Sequence, residues 1–283
     1  LKACEGVAVP RVTRLEGHQG RCSAVAVDGD LIASADSFGN VILWSLSSGE
    51  RTRDLKVDKS TIYGLALRGD MLYAGGRFSP IFVWYVGPEK RAALPGKFKG
   101  EYEPLRGHSS EICSLAANGT LLASGSADST ARVWSLADDG MPNADCVHVL
   151  DHPEDEAVNC VCINEGRIAT ACCDAAVRVW SAASGALLHK CQHGRSTAHI
   201  DVGCVSLMGT LLVSGGHSND DRSVKVWSLS GDEPECVATL QGFAGSERAG
   251  GHRKPVIGVG ILSHGKLVSL GQGMDGMRLW QCR

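Results

Sequence analysis

The chain has 283 residues, and its 28 lysine and arginine residues nearly balance 31 aspartate and glutamate residues, giving a formal net charge of −3. This balance argues against broad nucleic-acid binding, which needs a basic face to release counterions from phosphate. No apolar run approaches the ~20 residues of a membrane-spanning helix, and no basic segment followed by an apolar one marks a signal peptide at the start.

The first segment with strand character is RVTRL at Arg11–Leu15. After it, a glycine-containing turn followed by an apolar strand such as LIASAD or LLVSGG occurs six times. In chain order the turns are Asp28-Gly29, Arg68-Gly69, Asn118-Gly119, Glu165-Gly166, Met208-Gly209 and His264-Gly265. Glycine supplies the positive φ that such hairpin turns often require.

Six tryptophans follow these strands, at spacings of 40, 50, 46, 47 and 53 residues. They are Trp44, Trp84, Trp134, Trp180, Trp227 and Trp280, and each ends a short aliphatic run such as VILW or VKVW. A period of about 20–50 residues indicates one supersecondary unit that is repeated and stacked, since a single copy cannot bury its own apolar face.

The third unit contains every element of the repeat. Its pattern predicts strands over 112–116, 121–126 and 131–136, and a fourth that ends near Val149-Leu150. Asn118-Gly119 between the first two is the strongest short hairpin signal. Four strands joined by tight turns make one antiparallel meander. Six such units leave little room for helices, so the sequence predicts an all-β fold.

With its Gly-His pair, hairpin, LLASGS-like strand, turn Asp and Val-Trp, the unit resembles the WD40 repeat, from about Val12 to the C-terminus. The resemblance implies a single domain over 1–283, a closed β-propeller of six four-stranded blades that end near the six tryptophans. Pairing of Arg11–Leu15 with the last blade would close the ring and remove two exposed sheet edges. The alternative is seven blades, with one missing upstream.

The resemblance also implies a structural hydrogen-bond relay in each blade, made of His, Ser or Thr, Asp and Trp. In this sequence the candidates are His18, Ser34 and Trp44; His108, Ser124, Asp128 and Trp134; His152, Thr170, Asp174 and Trp180; Ser214, Asp221 and Trp227; and His252, Ser269, Asp275 and Trp280. Phe38 stands at the turn Asp position of the first unit, and His199 is one place out of register in the fifth. Repetition of this set indicates a structural device, because a catalytic triad is built once.

Further positions implied by the resemblance lie at the rim of the channel, at the start of the first strand or just before the turn Asp. They are Arg21, Tyr63, Arg77, Glu111, Asn159, Asp201 and Asp220. Aromatic and arginine side chains tend to anchor protein interfaces. We therefore predict a non-catalytic protein-interaction scaffold or adaptor that binds a peptide or protein partner on the channel face, within a larger complex.

We expect no cofactor, metal, membrane or small-molecule partner, and the chain lacks GxSxG, phosphate-loop and HExxH motifs. Two other functions are weighed against the scaffold. One is a propeller enzyme whose channel site would use carboxylates of Glu111, Asp201 and Asp220 to hold a metal. The other is nucleic-acid contact through the basic loop Val86 to Gly100.

Twelve cysteines lie mostly within strand-like runs, where reduced, buried thiols fit better than the disulfides of a short secreted scaffold. The sequence therefore predicts an intracellular, cytoplasmic protein, with the nucleus as the alternative. Two clusters could instead ligate zinc. One is His189, Cys191 and His193, which alternate along one strand; the other is Cys160, Cys162, Cys172 and Cys173, on two paired strands.

Overall fold

A computed structural model describes residues 13–57, 60–87, 102–164, 166–194, 201–218, 221–240, 254–262, 266–272 and 277–281. Within these ranges the chain forms β-strands joined by turns and short loops, and no helix. The predicted all-β fold is confirmed. The strands form six antiparallel sheets, which are the blades of the propeller and are numbered in chain order.

The strands of each blade follow one another in the sheet as they do in the sequence. Blade 1 contains β1 (Cys22–Asp28), β2 (Leu31–Asp36), β3 (Asn40–Ser45) and β4 (Arg51–Lys56). Blade 2 contains β5 (Ile62–Arg68), β6 (Met71–Gly76) and β7 (Phe78–Tyr85). Blade 3 contains β8 (Ile112–Ala117), β9 (Leu121–Ser126), β10 (Thr130–Leu136) and β11 (Pro142–Asp151).

The second half of the chain repeats this arrangement. Blade 4 contains β12 (Val158–Asn164), β13 (Arg167–Cys172), β14 (Ala176–Ser181) and β15 (Leu187–Gln192). Blade 5 contains β16 (Val202–Met208), β17 (Leu211–Gly216), β18 (Val224–Ser228) and β19 (Glu235–Leu240). Blade 6 contains β20 (Val256–Ile261), β21 (Lys266–Gly271) and β22 (Met277–Gln281). In blade 2, an isolated antiparallel bridge joins Ile81 to Leu105 at the outer edge of β7.

Hairpin turns between the first two strands keep each blade in register. Gly29 and Gly69 have φ of 57° and 55°, in the left-handed region that a side chain would strain. The turn at Asn118-Gly119 is held differently, because the Asn118 side-chain oxygen accepts hydrogen bonds from the backbone N–H groups of Thr120 and Leu121. In both kinds of turn the stabilising features lie within a few residues of one another, so a short stretch of sequence sets the register between the first and second strands.

Successive blades pack face to face, and these junctions form the core. The upstream face of a blade carries its tryptophan and packs on the preceding blade; the opposite, downstream face packs on the next blade. At the first junction, Ala33 and Leu43 of blade 1 lie against Leu65, Leu72 and Trp84 of blade 2. Small residues on the downstream face leave room for the large indole, which gives the close packing typical of protein interiors.

Closure of the ring by Arg11–Leu15 is not found among the described residues. Arg11 lies outside them, and Thr13 to Leu15 form no strand. Among the described strands, β22 pairs only with β21. Thr13 and Leu15 instead lie beside Gly49, in the turn between β3 and β4 of blade 1. The segment that was predicted to complete blade 6 thus packs against blade 1 where it is described.

Candidate functional site

Blade 3 contains the complete hydrogen-bond relay. The buried Ser124 hydroxyl lies 2.7 Å from His108 Nε2 and accepts a bond from the Trp134 indole N–H at 3.1 Å. His108 Nδ1 lies 2.8 Å from a carboxylate oxygen of Asp128. Burial alone would raise the pKa of Asp128, but hydrogen bonds from His108, Thr130 and Ser109 outweigh it and hold that pKa well below its usual range. The relay ties the turns at one edge of the blade to its core.

In blade 1 the relay carboxylate comes from a residue that the sequence reading did not assign. His18 and Trp44 both bind Ser34, at 2.7 and 2.8 Å, while Asp36 at the end of β2 lies 3.3 Å from His18 Nδ1. Asp36 also accepts bonds from the backbone N–H groups of Asn40 and Phe38. Burial would raise its pKa, but bonds from the Asn40 side-chain amide and then from the backbone N–H groups of Asn40, Phe38 and Gly20 lower it to about 2. Phe38 at the turn position therefore does not leave this relay without a carboxylate, since Asp36, two residues earlier, supplies it.

Replacing Asp36 with alanine is expected to destabilise the protein by about 1.5–3 kcal/mol, the usual range for bonds to a charged group. The Asn40 and Phe38 N–H groups would lose their acceptor, and His18 its partner. Urea denaturation would measure the change. The matched control is Asp54→Ala, which removes an exposed carboxylate paired with Arg51 and should leave stability nearly unchanged. Equal effects of the two variants would contradict this role for Asp36.

Blade 5 requires a correction of the relay histidine. The residue that binds Ser214 is His193, with Nδ1 at 2.7 Å, and its other ring nitrogen lies 3.5 Å from Asp221. His199, the predicted candidate, lies outside the described residues. Trp227 donates to Ser214 at 2.9 Å. Units 1, 3 and 6 have the order Gly-His, but the order here is His193-Gly194, which is why the pattern pointed to the wrong histidine.

Blades 4 and 6 carry partial relays. In blade 4, Thr170 binds both His152 and Trp180, but Asp174 pairs with Arg178 instead of the histidine, whose Nδ1 donates to the Leu150 carbonyl. In blade 6, Trp280 donates to Ser269 at 2.7 Å. His252 and Asp275 lie outside the described residues. Blade 2 has Ala74 where the others have Ser or Thr.

One backbone hydrogen bond recurs in all six blades and defines the edge of the channel face. The residue after the second strand donates its N–H to the carbonyl of the residue before the first strand, at 2.7–3.0 Å. The pairs, donor first, are Ser37–Arg21, Arg77–Thr61, Ala127–Glu111, Cys173–Ala157, His217–Asp201 and Gln272–Pro255. Four of the predicted channel-face residues, Arg21, Arg77, Glu111 and Asp201, belong to these pairs.

A β-bulge follows at the second residue of every inner strand, the first strand of each blade. The register shifts between Ile62 and Gly64 and between Val158 and Cys160, for example, and at the same place in the other four blades. Tyr63 and Asn159 are the bulged residues of blades 2 and 4. Bulges re-aim side chains and often lie beside functional sites. The equivalent Ile257 of blade 6 is exposed, and the sequence reading missed it.

The edge residues interact across blade boundaries. The Arg77 guanidinium lies 3.3 Å from the Glu111 carboxylate, which joins blades 2 and 3. The Asn159 amide donates to the Val202 carbonyl at 3.1 Å, so this predicted contact residue braces blades 4 and 5. Arg21 and Tyr63 are exposed, and Asp220 lies outside the described residues. Arg21, Tyr63, Arg77 and Glu111 are therefore the predicted residues best placed to meet a partner.

An acidic depression on the same edge lies between blades 3 and 4. It is bounded by the β9–β10 turn and by the loop from β11 to β12, and its carboxylates are Asp128, Asp151, Glu154 and Asp155. Asp128 is occupied by the relay, whereas Asp151, Glu154 and Asp155 are exposed. The edge thus presents arginines over blades 1 and 2 and carboxylates over blades 3 and 4.

Members of the two cysteine-containing clusters lie in the core or belong to a relay. Cys191 is fully buried in the core between blades 4 and 5, and His193 belongs to the relay. Burial raises the pKa of the thiols of Cys160, Cys162 and Cys172. No group of three potential metal ligands occurs in the described ranges. Of the basic loop Val86 to Gly100, only Val86 and Gly87 are described.

Comparison with known proteins agrees with this architecture. Three segments, 99–135, 144–181 and 189–228, match the family described as WD domain, G-beta repeat. The chain is 30% identical to cell division control protein 4 of Candida albicans over 51% of its own length and 21% of that protein. It is 38% identical to THO complex subunit 3 of Arabidopsis thaliana over 28% of its length and 26% of that protein. It therefore spans only about a quarter of each of these relatives.

A solved structure of U3-55K superimposes with a TM-score of 0.72 over 95% of this chain and 80% of that one, at 23% identity. At this identity the likeness concerns the fold alone. In the described part of the chain, no helix has the length and apolarity needed to cross a membrane.

Proposed function

Because this chain is a WD40-repeat β-propeller protein, we propose that it is a non-catalytic scaffold that binds a peptide or protein partner on its channel face. One observation carries the proposal: six copies of one backbone hydrogen bond hold six different residues at the channel-face edge. The backbone is constant while the chemistry changes from Arg21 to Glu111 to Asp201. Varied side chains on a rigid frame suit recognition of one particular surface.

The charges on this edge support a partner of mixed charge. Exposed Arg21 and the Arg77–Glu111 pair lie over the first three blades, while Glu154 and Asp155 lie exposed between blades 3 and 4. Complementary charges steer encounter and fix the register of a complex. We expect acidic groups of the partner over Arg21 and basic groups over the acidic depression. The name of the relative THO complex subunit 3 is that of a protein in a larger assembly, and we propose such a setting here.

We further propose that residues 1–283 form one domain that works in the cytoplasm or nucleus without a cofactor. The ten cysteines in the described part of the chain are all free, among them the buried Cys172, Cys191 and Cys204. Protonated buried thiols suit a reducing compartment. The channel-enzyme alternative is disfavoured, because the Glu111 carboxylate is paired with the Arg77 guanidinium.

The test compares the protein purified with its partners from its own cells with a variant in which Arg21, Tyr63, Glu111 and Asp201 are all alanine. We expect the variant to stay folded and to lose at least one partner. The matched control changes four exposed residues away from the channel-face edge to alanine, namely Asp138, Lys190, Glu235 and Val237. Retention of every partner by the channel-face variant would rule out the proposed binding surface.

A further inference from the structure

The turn between β2 and β3 of blade 1 carries an exposed phenylalanine at the channel-face edge. Phe38 is 53% exposed, although it is large and apolar. In blades 3 and 4 the same position, two residues past the second strand, holds Asp128 and Asp174, which are half-buried and hydrogen-bonded within their own blades. In blade 1 the relay carboxylate comes from Asp36 instead, inside β2. Position 38 is therefore released from the relay, and an aromatic ring occupies it in contact with solvent.

The neighbours of Phe38 hold its backbone and its ring in place. The Phe38 backbone N–H donates to the buried Asp36 carboxylate at 2.9 Å. The ring lies against Gly20, where an added Cβ would be only 2.9 Å from a ring carbon, so any side chain at position 20 would push the ring away. An aromatic side chain that is already ordered loses little conformational entropy when a partner covers it. Phe38 thus has the properties of a preformed interface anchor.

A chain of three hydrogen bonds links this turn to two arginines, one in each of the first two blades. The Ser37 N–H donates to the Arg21 carbonyl at 3.0 Å. The Thr61 hydroxyl of blade 2 donates to the Ser37 carbonyl at 3.2 Å, and the Arg77 N–H donates to the Thr61 carbonyl at 2.9 Å. The Arg21 and Arg77 side chains are both exposed. One fixed stretch of the edge therefore presents an apolar ring together with two cations.

We propose that Phe38 anchors the channel-face site and binds a segment of the partner in which an apolar side chain is flanked by acidic residues. This inference rests on the proposed function and specifies what blades 1 and 2 recognise. Aromatic and arginine side chains provide much of the binding energy of protein interfaces. The partner's apolar side chain packs on the Phe38 ring, and its carboxylates pair with Arg21 or compete with Glu111 for Arg77.

A peptide fits this surface better than a single-stranded nucleic acid, whose bases also stack on aromatic rings. The same edge carries the exposed carboxylates of Asp151, Glu154 and Asp155 over blades 3 and 4. A strand that followed the edge would bring its phosphates against these carboxylates. The chain as a whole has a formal net charge of −3, so little counterion release would offset that repulsion. A short acidic and apolar segment needs only the part of the edge that carries arginines.

Selection from a phage-displayed library of short random peptides tests the recognition. Peptides enriched on the unchanged protein should share one large apolar residue beside aspartate or glutamate. F38A should weaken the binding of such a synthetic peptide by at least about 30-fold, the loss typical of an anchor residue, whereas F38W should retain most of the affinity. L46A is the matched control and should bind normally, because Leu46 is 55% exposed but follows β3 at the opposite edge of the same blade.

Charge reversal at Arg21 tests the acidic half of the proposed segment. R21E should weaken the binding of the acidic peptide and strengthen the binding of a peptide with lysine in place of its aspartates and glutamates. A purely structural role of Arg21 would change the affinity for both peptides in the same direction. Binding of the acidic peptide to the unchanged protein should also weaken as the salt concentration rises, since exposed charges are screened.

Several results would overturn the proposal. They are the absence of any selected peptide whose affinity depends on Phe38, a Phe38-dependent preference for lysine and arginine, and binding of a fluorescent single-stranded oligouridine that F38A abolishes. Urea denaturation should find F38A as stable as L46A, which excludes misfolding as the cause of a loss. If a partner from the protein's own cells is lost by the four-alanine variant but kept by F38A, this inference is wrong and the proposed function stands.

Discussion

Replacing Trp134 with alanine is expected to lower the free energy of unfolding by about 3–5 kcal/mol, the usual cost of removing a fully buried tryptophan. Trp134 is buried in the core between blades 2 and 3, with Tyr73, Ile81 and Leu122. Its indole N–H also donates to Ser124. The change would leave a cavity at this junction and remove a donor from the relay. Equilibrium denaturation in urea, followed by far-ultraviolet circular dichroism, would measure the loss.

Two comparisons separate packing from hydrogen bonding at this junction. W134F keeps most of the ring but loses the N–H, so it should cost much less than W134A. W280A removes a tryptophan that is only partly buried, at the exposed end of the stack, and should also cost less. If W280A and W134A destabilise the protein equally, burial at the junctions is not what holds the blades together.

The strands could be predicted from the sequence because their signals are local. Alternating apolar residues and a glycine turn specify β9 over Leu121–Ser126 as the structure has it. The tryptophan spacing then gives the repeat, and stacking follows since one blade cannot bury its own face. These properties depend on residues close together in the chain, which is why the fold class followed from the pattern.

The relay partners were harder to predict because they depend on where loops lead. His193 reaches Ser214 from a His-Gly order that the repeat pattern does not contain. Asp36 reaches His18 from the end of a strand rather than from the following turn. The sequence held a weak signal in each case. His193 stands beside a glycine, and β2 is the one second strand of a blade that ends in aspartate, at Asp36. The sequence offered several candidates for each relay position, and only the distances in the structure identify the residue that makes the bond.

The channel-face residues could be predicted only in part. The positions of Arg21, Arg77 and Glu111 follow from the repeat, but their shared backbone hydrogen bond and the bulge beside them appear only in the structure. Val25 and Leu279 look like core residues in the sequence, and only their exposure distinguishes the ends of the stack from its middle.

Lowering the pH from 6.5 to 4 is expected to destabilise the protein steeply through its buried relay histidines. Burial, followed by the nearby Arg178 guanidinium, lowers the pKa of His152 from 6.5 to about 4. Burial also lowers the pKa of His193, against the opposing pull of Asp221. Between these limits the unfolded chain binds protons that the native state excludes, so the free energy of unfolding falls as the pH falls. For His152 alone the full loss is about 3 kcal/mol.

Urea denaturation at several pH values would measure this effect, and two variants of blade 4 would assign it. H152Q should reduce the slope of stability against pH in the window from 6.5 to 4 by up to about 1.4 kcal/mol per pH unit, the contribution of one proton. T170V breaks the 2.8 Å bond to His152 but keeps the imidazole, so it should lower stability at every pH and retain the slope. Asp36, whose pKa is lowered to about 2, loses its contribution only below its ordinary 3.8, outside this window. A slope unchanged by H152Q would show that the acid sensitivity arises from groups other than His152.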